Sequence, residues 1–418
     1  MVANKKCTLS RVLLEMNILV LGSEIPATAN MPGSPRLFSL CRGLSVHHRL
    51  TLVAFGWGSE RYDSFRADSM AAGVFEEIVV LPKPPAHSWW RQQVHRLRQE
   101  ASFVTRSRTP AYFAAQRQRI RDICARGSFD VVYADGLPVA QYLMAAGLEC
   151  PSIIDLHDCF TLLFSRAMQA ESRWLRRVAV YAESRSVARL ERSLSRVFAR
   201  VITNSTVDEA YLKSLDPTAK TLTIGNGVDS AFFGPSDAVP DLAKVVFTGV
   251  MDYGPNEDGA VYFGEDILPL IQEHHPDVQF WVVGKDPTER IRALAARPGV
   301  HVTGGVPDVR PYLQSAGVFV CPLRFGAGVK NKLLAALAMN KAVVATRLSV
   351  EGLDLREGED LLLADEPAEF AAKVVQLIEN PEYARQLGKT GQAAVKAKYS
   401  WERSAKLLED TLRSVARA

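Results

Sequence analysis

Short apolar runs that end in glycine or a polar residue recur along the chain. The first is MNILVLGS at residues 16–23, and residues 49–56, 76–82, 130–136, 152–158 and 200–205 repeat the pattern. Unbroken apolar runs of this length predict parallel strands buried on both faces. Stretches of helical character separate most of them, among them residues 36–46 and 138–147. A second series follows at 244–249, 278–284, 299–304, 317–323, 341–346 and 360–365, again alternating with helices. Such alternation predicts α/β domains built on parallel, doubly wound sheets. Residues 214–241, rich in Pro, Gly and Asp, separate the two series and mark the expected boundary. The expected domains are 16–220 and 221–400, with a final helix over about 401–418 crossing back to the first. The carboxyl ends of the two sheets are expected to face each other across a cleft, where ligands of open α/β sheets bind, and closure is expected on binding.

Composition agrees with this picture. The chain has 418 residues, 47% hydrophobic and 23% charged, which excludes wholesale disorder. Six scattered cysteines without a C-x-x-C pair read as reduced thiols, and no metal is expected. The stretch after Lys5 and Lys6 is interrupted by Arg11 and Glu15, so it reads as a dispensable extension and not as a signal peptide. A cytoplasmic setting is the expectation.

One segment carries candidate chemistry: CPLRFGAGVKNKLLAALAMNKAVVAT, residues 321–346. A strand end, a turn through Gly326 and Gly328, and a helix beginning near Asn331 or Lys332 turn backbone amides inward. Lys330 and Lys332 add full charges, and Arg324 lies at the strand end. Such an arrangement suits an anion. The same pattern also reads as a solvated basic loop beside a core helix.

Beyond this segment, VFTGVMDYGPNEDGAVYFGEDILPLI, FWVVGKDP, VHVTGGVPDVRPYLQ and SVEGL, in this order, resemble the C-terminal half of the family 4 glycosyltransferases. NGVD (226–229) and YSW (399–401) are similar too, and the MDY-x-PN and K-N-K pieces resemble the sugar transferases of PEP-CTERM and exopolysaccharide systems. The N-terminal half is more loosely similar, through MNILVLGSEIP, PGSPR, DLHD and ITNS. The resemblance implies a GT-B fold of two Rossmann-like domains. It implies transfer of a sugar from a nucleotide-diphosphate sugar, with retention, to a lipid-linked or saccharide acceptor in surface polysaccharide synthesis, and no cofactor.

Carried over to this chain, Lys330 and Lys332 would neutralise the departing diphosphate. Gly249 would admit the phosphates, Gly284 would end a strand beside the nucleotide, and Val309 in GVPDV would lie against the base. His157 would hold the donor sugar, Asp158 would orient it or bind acceptor, and Gly33 and Arg36 would face the acceptor or the leaving phosphates. The chain departs from the family pattern at its two glutamates, replaced here by Ala327 and Ala335. The second normally accepts hydrogen bonds from the ribose, and Glu351 is the candidate substitute. A non-catalytic nucleotide-binding or scaffold subunit is the alternative implied by this loss. A sugar-nucleotide epimerase ranks last, for want of a suitable carboxylate set.

Charge is unevenly spread. Residues 91–126 hold nine arginines against Glu100 and Asp122, a net of +7, while the whole chain is only +4. The stretch follows Trp89 and Trp90 and contains Phe103, Tyr112 and Phe113, and a second Arg-rich helix is expected over 173–200. Together they suit an anionic membrane surface, with the protein peripheral on the inner face of the plasma membrane. Nucleic acid is not expected, because no recognition module is present. A solvated helical face is the competing reading.

Overall fold

The computed structural model describes residues 15–26, 36–56, 63, 65, 73–83, 109–147, 149–170, 174–235, 239–326 and 328–417. Gly33, Ala327, Trp89, Trp90, Phe103 and the first half of the basic stretch lie outside the described residues.

The apolar runs form strands within a few residues of where the pattern puts them. They are β1 (Asn17–Gly22), β2 (Arg49–Gly56), β3 (Glu77–Pro82), β4 (Val131–Asp135), β5 (Ser152–Asp155), β6 (Arg200–Thr203) and β7 (Thr221–Thr223). The second series gives β8 (Asp241–Thr248), β9 (Gln279–Val283), β10 (Val300–Gly304), β11 (Ala316–Cys321), β12 (Ala342–Ala345) and β13 (Leu362–Leu363). The helices used below are α1 (Arg36–Leu44), α2 (Pro110–Arg126), α3 (Leu137–Ala146), α4 (Phe160–Ala170), α5 (Trp174–Glu191) and α6 (Thr206–Leu215). Later in the chain follow α7 (Gly254–Tyr262), α8 (Leu268–Gln272), α9 (Glu289–Leu294), α10 (Arg310–Ser315), α11 (Asn331–Ala338), α12 (Pro367–Glu379), α13 (Pro381–Lys398) and α14 (Trp401–Ala416).

Packing divides the described residues into two compact units, 15–83 with 109–154 and 409–417, and 155–408. The division falls at the end of β5 and not in the Pro/Gly-rich stretch, which itself contains β7, paired parallel with β6. The reason is tertiary: the segment after Asp155 packs on loops of the second sheet, as set out below. The C-terminal residues from Glu409 belong to the first unit.

In the first unit the strands run β3-β2-β1-β4-β5. Asn17 of β1 lies opposite Arg49 of β2, and Ile18 opposite Val131 of β4, both in parallel register. Ile18, Leu19, Val20, Leu52, Val131 and Val132 are fully buried, as strands covered on both faces require. In the second unit six parallel strands run β10-β9-β8-β11-β12-β13. Their core includes Val246, Phe247, Phe263, Phe280, Val318 and Phe319. The strand order reverses between β8 and β11, and a sheet of this kind binds ligands beyond the carboxyl ends of the strands at such a switch point.

The helical expectations need two corrections. The Arg-rich segment is not one helix over 173–200: α5 ends at Glu191, and a single 3-10 turn, Leu194–Arg196, follows. The aromatic residues of α2 do not face solvent with its arginines. Phe113 is buried and stacks on Tyr142 with centroids 5.1 Å apart, while the Tyr112 hydroxyl donates to the Pro82 carbonyl. Among the described residues no helix is long and apolar enough to cross a membrane. The five described cysteines form no disulfide.

Candidate functional site

The β11–α11 connection forms at the switch point. Every residue of β11 is buried. Beyond it Gly326 and Gly328 take φ of 135° and 68°, left-handed backbone that only glycine adopts without strain. Lys330 is the N-cap of α11, no side chain caps it there, and its carbonyl accepts from the N–H groups of Leu333 and Leu334 at 2.9 and 3.4 Å. The Lys330 ammonium donates to the Gly328 carbonyl. Lys332 donates to Asn256 Oδ1 and lies 4.2 Å from the centroid of the Phe247 ring. Asn256 is itself fixed by the Val250 carbonyl at 2.8 Å, and Asn331 Oδ1 accepts from Asn226 Nδ2 at 2.9 Å.

Burial pushes the ammonium of Lys332 down to about 8, with the neighbouring Lys330 charge adding to the effect and the Cys321 thiol opposing it. Lys330 is also lowered by burial, against the pull of Asp158, Cys321, Asp208 and Glu351. Two cations thus share one half-buried place, which is costly without an anion.

The glycines after β8 and β9 are there for space. A Cβ on Gly249 would stand 2.8 Å from Lys332 Nζ and 2.7 Å from Asn256 Nδ2, and one on Gly284 would stand 1.7 Å from the Gly249 carbonyl oxygen.

Against this loop packs the segment that follows β5. His157 has φ of 64°, and its N–H donates to Asp155 Oδ1 at 3.2 Å. Its carbonyl accepts from the Asn204 N–H at 2.9 Å. Asn204 Nδ2 then donates to Asp158 Oδ1 at 2.9 Å. Asp158 lies directly on the glycine turn, since a Cβ on Gly328 would come within 1.8 Å of Asp158 Oδ1. Two buried carboxylates organise the start of α4. Asp208 accepts from the Cys159 N–H at 2.8 Å, and Glu191 accepts from the N–H groups of Phe160 and Thr161 at 2.8 and 3.3 Å. One turn and a half along α4, Arg166 donates to the Gly326 carbonyl at 2.8 Å and to both oxygens of Glu351 at 2.5 and 2.9 Å. Glu351 is placed by the loop after β12, where Thr346 Oγ1 donates to the Leu323 carbonyl at 2.6 Å and Ser349 Oγ to the Cys321 carbonyl at 2.7 Å.

Within one unit the fold therefore gathers Lys330, Lys332, Asn331, Gly326, Gly328, Gly249, Gly284, Asp158 and Glu351, with His157 next to Asp158. Arg324 is not turned to this loop. Its guanidinium pairs with both oxygens of Asp258 at 2.8 and 2.5 Å and covers the Tyr262 ring. Val309 precedes α10 and packs on the core of the second sheet. Arg36, for which an ordinary surface position at a helix start is the competing reading, is completely buried in the other unit. Ala335 is 8% exposed, within the apolar body of α11. Residues missed by sequence reasoning are Arg166, Glu191, Asp208, Asn204, Asn226 and Asn256. The three asparagines stood inside quoted motifs (ITNS, NGVD and MDYGPN), whereas Arg166 and Glu191 carry no local signal.

The same architecture recurs in solved proteins. Sucrose-phosphate synthase from Thermosynechococcus elongatus aligns with a TM-score of 0.71 and 16% identity, over 96% of this chain and 99% of that one. HepE of Anabaena, solved with UDP-glucose, aligns with a TM-score of 0.66 and 15% identity, over 96% and 100%. The two parallel-sheet α/β domains have the fold of the GT-B glycosyltransferases. A family model described as Glycosyltransferase Family 4 matches residues 36–232, and one described as Glycosyl transferases group 1 matches residues 243–380. The chain belongs to the family 4 glycosyltransferases. The phosphatidyl-myo-inositol mannosyltransferase of Mycobacterium tuberculosis is 32% identical over 192 residues, 43% of this chain and 50% of that protein. The chain spans about half the length of the curated relatives it matches.

Proposed function

We propose that the protein is a retaining glycosyltransferase that moves a sugar from a nucleotide-diphosphate sugar to a lipid-linked or saccharide acceptor in surface polysaccharide assembly. The observation that carries this reading is the pair Lys330 and Lys332 at the uncapped start of α11, beside two glycines in left-handed conformation. As the glycosidic bond of the donor breaks, negative charge grows on the diphosphate. Ammonium groups and amides already aimed at that place stabilise the growing charge more than the ground state, which is what accelerates the step. The two lysines supply the countercharge, so the reading calls for no metal. His157 holds the donor sugar and Asp158 takes the acceptor side. Glu351 has one oxygen lone pair left on each side of its Arg166 contacts, enough to accept ribose hydroxyls in place of the acid absent at Ala335. A lipid-linked acceptor fits a protein that works peripherally on the inner face of the plasma membrane.

Calorimetric titration with uridine and guanosine diphosphates, followed by donor-turnover assays, tests this. Lys330→Ala with Lys332→Ala is expected to lower turnover by a hundredfold or more, on the order of two lost charge-assisted contacts. Unchanged turnover removes the phosphate assignment. Because Ala335 lacks the carboxylate of the family pattern, binding without transfer to any acceptor would instead support a non-catalytic subunit.

A further inference from the structure

We propose that the exposed face of α5 docks the protein onto an anionic membrane surface. Trp174, Val178 and Tyr181 are 70%, 59% and 49% exposed. Their spacing of four and three residues puts them on one stripe of the helix. Nine large hydrophobic residues are conspicuously exposed among the described residues, and three of them lie within these two turns, so the stripe is a cluster and not ordinary scatter. Arg177, Arg185 and Arg189 are exposed on the same side. The acids of the helix lie elsewhere: Glu183 is on the opposite side by helical phase, and Glu191 is buried at the start of α4. Toward its C-terminal end the helix sinks into the unit, with Val187 and Ala188 buried.

This combination selects a lipid surface. Tryptophan and tyrosine favour the headgroup level, where the ring is apolar and the N–H or O–H stays wet. Arginine stems lie along the apolar boundary while the guanidinium reaches phosphate. A second copy of the chain is a poor occupant. The three apolar side chains offer on the order of 400 Å², about half of the ~800 Å² a partner contributes to a stable interface. Face-to-face pairing would also oppose three arginines to three arginines. The helix has 18 residues and lies on the surface without spanning. The docking face gives physical detail to the lipid-acceptor reading and rests on it only for its purpose.

Co-sedimentation of the full chain with vesicles of phosphatidylcholine alone, or containing phosphatidylglycerol, tests the proposal. Binding to the anionic vesicles is expected, weakening as salt is raised. Arg177→Glu with Arg185→Glu is expected to reduce the partition coefficient at least tenfold, from roughly fivefold per arginine. Trp174→Ser with Tyr181→Ser is expected to reduce it by a similar amount. Nucleoside diphosphate affinity is expected to stay unchanged in both, which separates failure of docking from failure of the donor site. Equal binding to both vesicle types, or variants that bind as the parent does, would overturn the proposal. So would a dimer, seen by light scattering, that Trp174→Ser dissociates.

Discussion

Burial holds the Lys332 ammonium down to about 8, so its charge is lost in a pH range where most lysines keep theirs. The folded value lies below the unfolded one, hence the unfolded chain binds more protons between about pH 8 and pH 10.5 and stability rises with pH there. Binding runs the other way. Nucleoside diphosphate affinity is expected to fall as pH rises through 8, by at most about tenfold per unit, and Lys332→Met is expected to bind weakly with a flatter profile. Titration calorimetry across this range checks both. Arg166 is the second residue whose role comes from position. Arg166→Ala frees the Gly326 carbonyl and Glu351 together and is expected to raise the donor KM about tenfold, with a smaller fall in kcat. Arg166→Lys keeps the charge but lacks the fork that reaches three acceptors, so steady-state kinetics should show only partial recovery.

At the level of elements, the loop is held by helices that the sequence places far from it. Glu191 at the end of α5 caps the start of α4, and α4 carries Arg166 to the glycine turn. Glu191→Ala leaves the N–H groups of Phe160 and Thr161 and the Thr161 hydroxyl without their acceptor, a cost of roughly 3 kcal/mol. The expected result is a melting midpoint lower by several degrees, with weaker donor binding. Glu191→Gln keeps an acceptor oxygen and is expected to lose less, and thermal denaturation of the two variants decides. Elements themselves were legible from the pattern. The apolar run 49–56 became β2 with the same bounds, and α11 begins at Asn331 as the loop chemistry implied. The short strand β7 was hidden because TLT is too brief to show a period, and only its pairing with β6 defines it.

On the scale of the whole molecule, the C-terminal residues are tied into the first unit through His48. Its Nδ1 accepts from the Met16 N–H at 3.1 Å, so the neutral ring carries its proton on Nε2, 3.3 Å from Glu409. Glu409 also faces His47 and is paired with Arg413. Burial, and then the Arg413 charge, lower the His48 pKa, and Glu409 only partly opposes them. The unfolded chain therefore binds more protons as pH falls below about 6.5, and stability is expected to decline there. His48→Gln should flatten that decline in melting curves taken from neutral to acidic pH, and hydrogen exchange should show the segment 409–417 opening first.

The strands, the order of the two sheets' segments and the amide-and-lysine loop follow from local properties: apolar period, glycine freedom and charge along a few consecutive residues. The choice of partners for that loop does not. Asp158 under Gly328, Arg166 across Gly326 and Glu351, and Arg324 drawn away to Asp258 are contacts between segments up to 185 residues apart. Side chains of that kind carry no periodic signature, because what selects them is the distance between elements after packing, and that distance exists only in the folded chain.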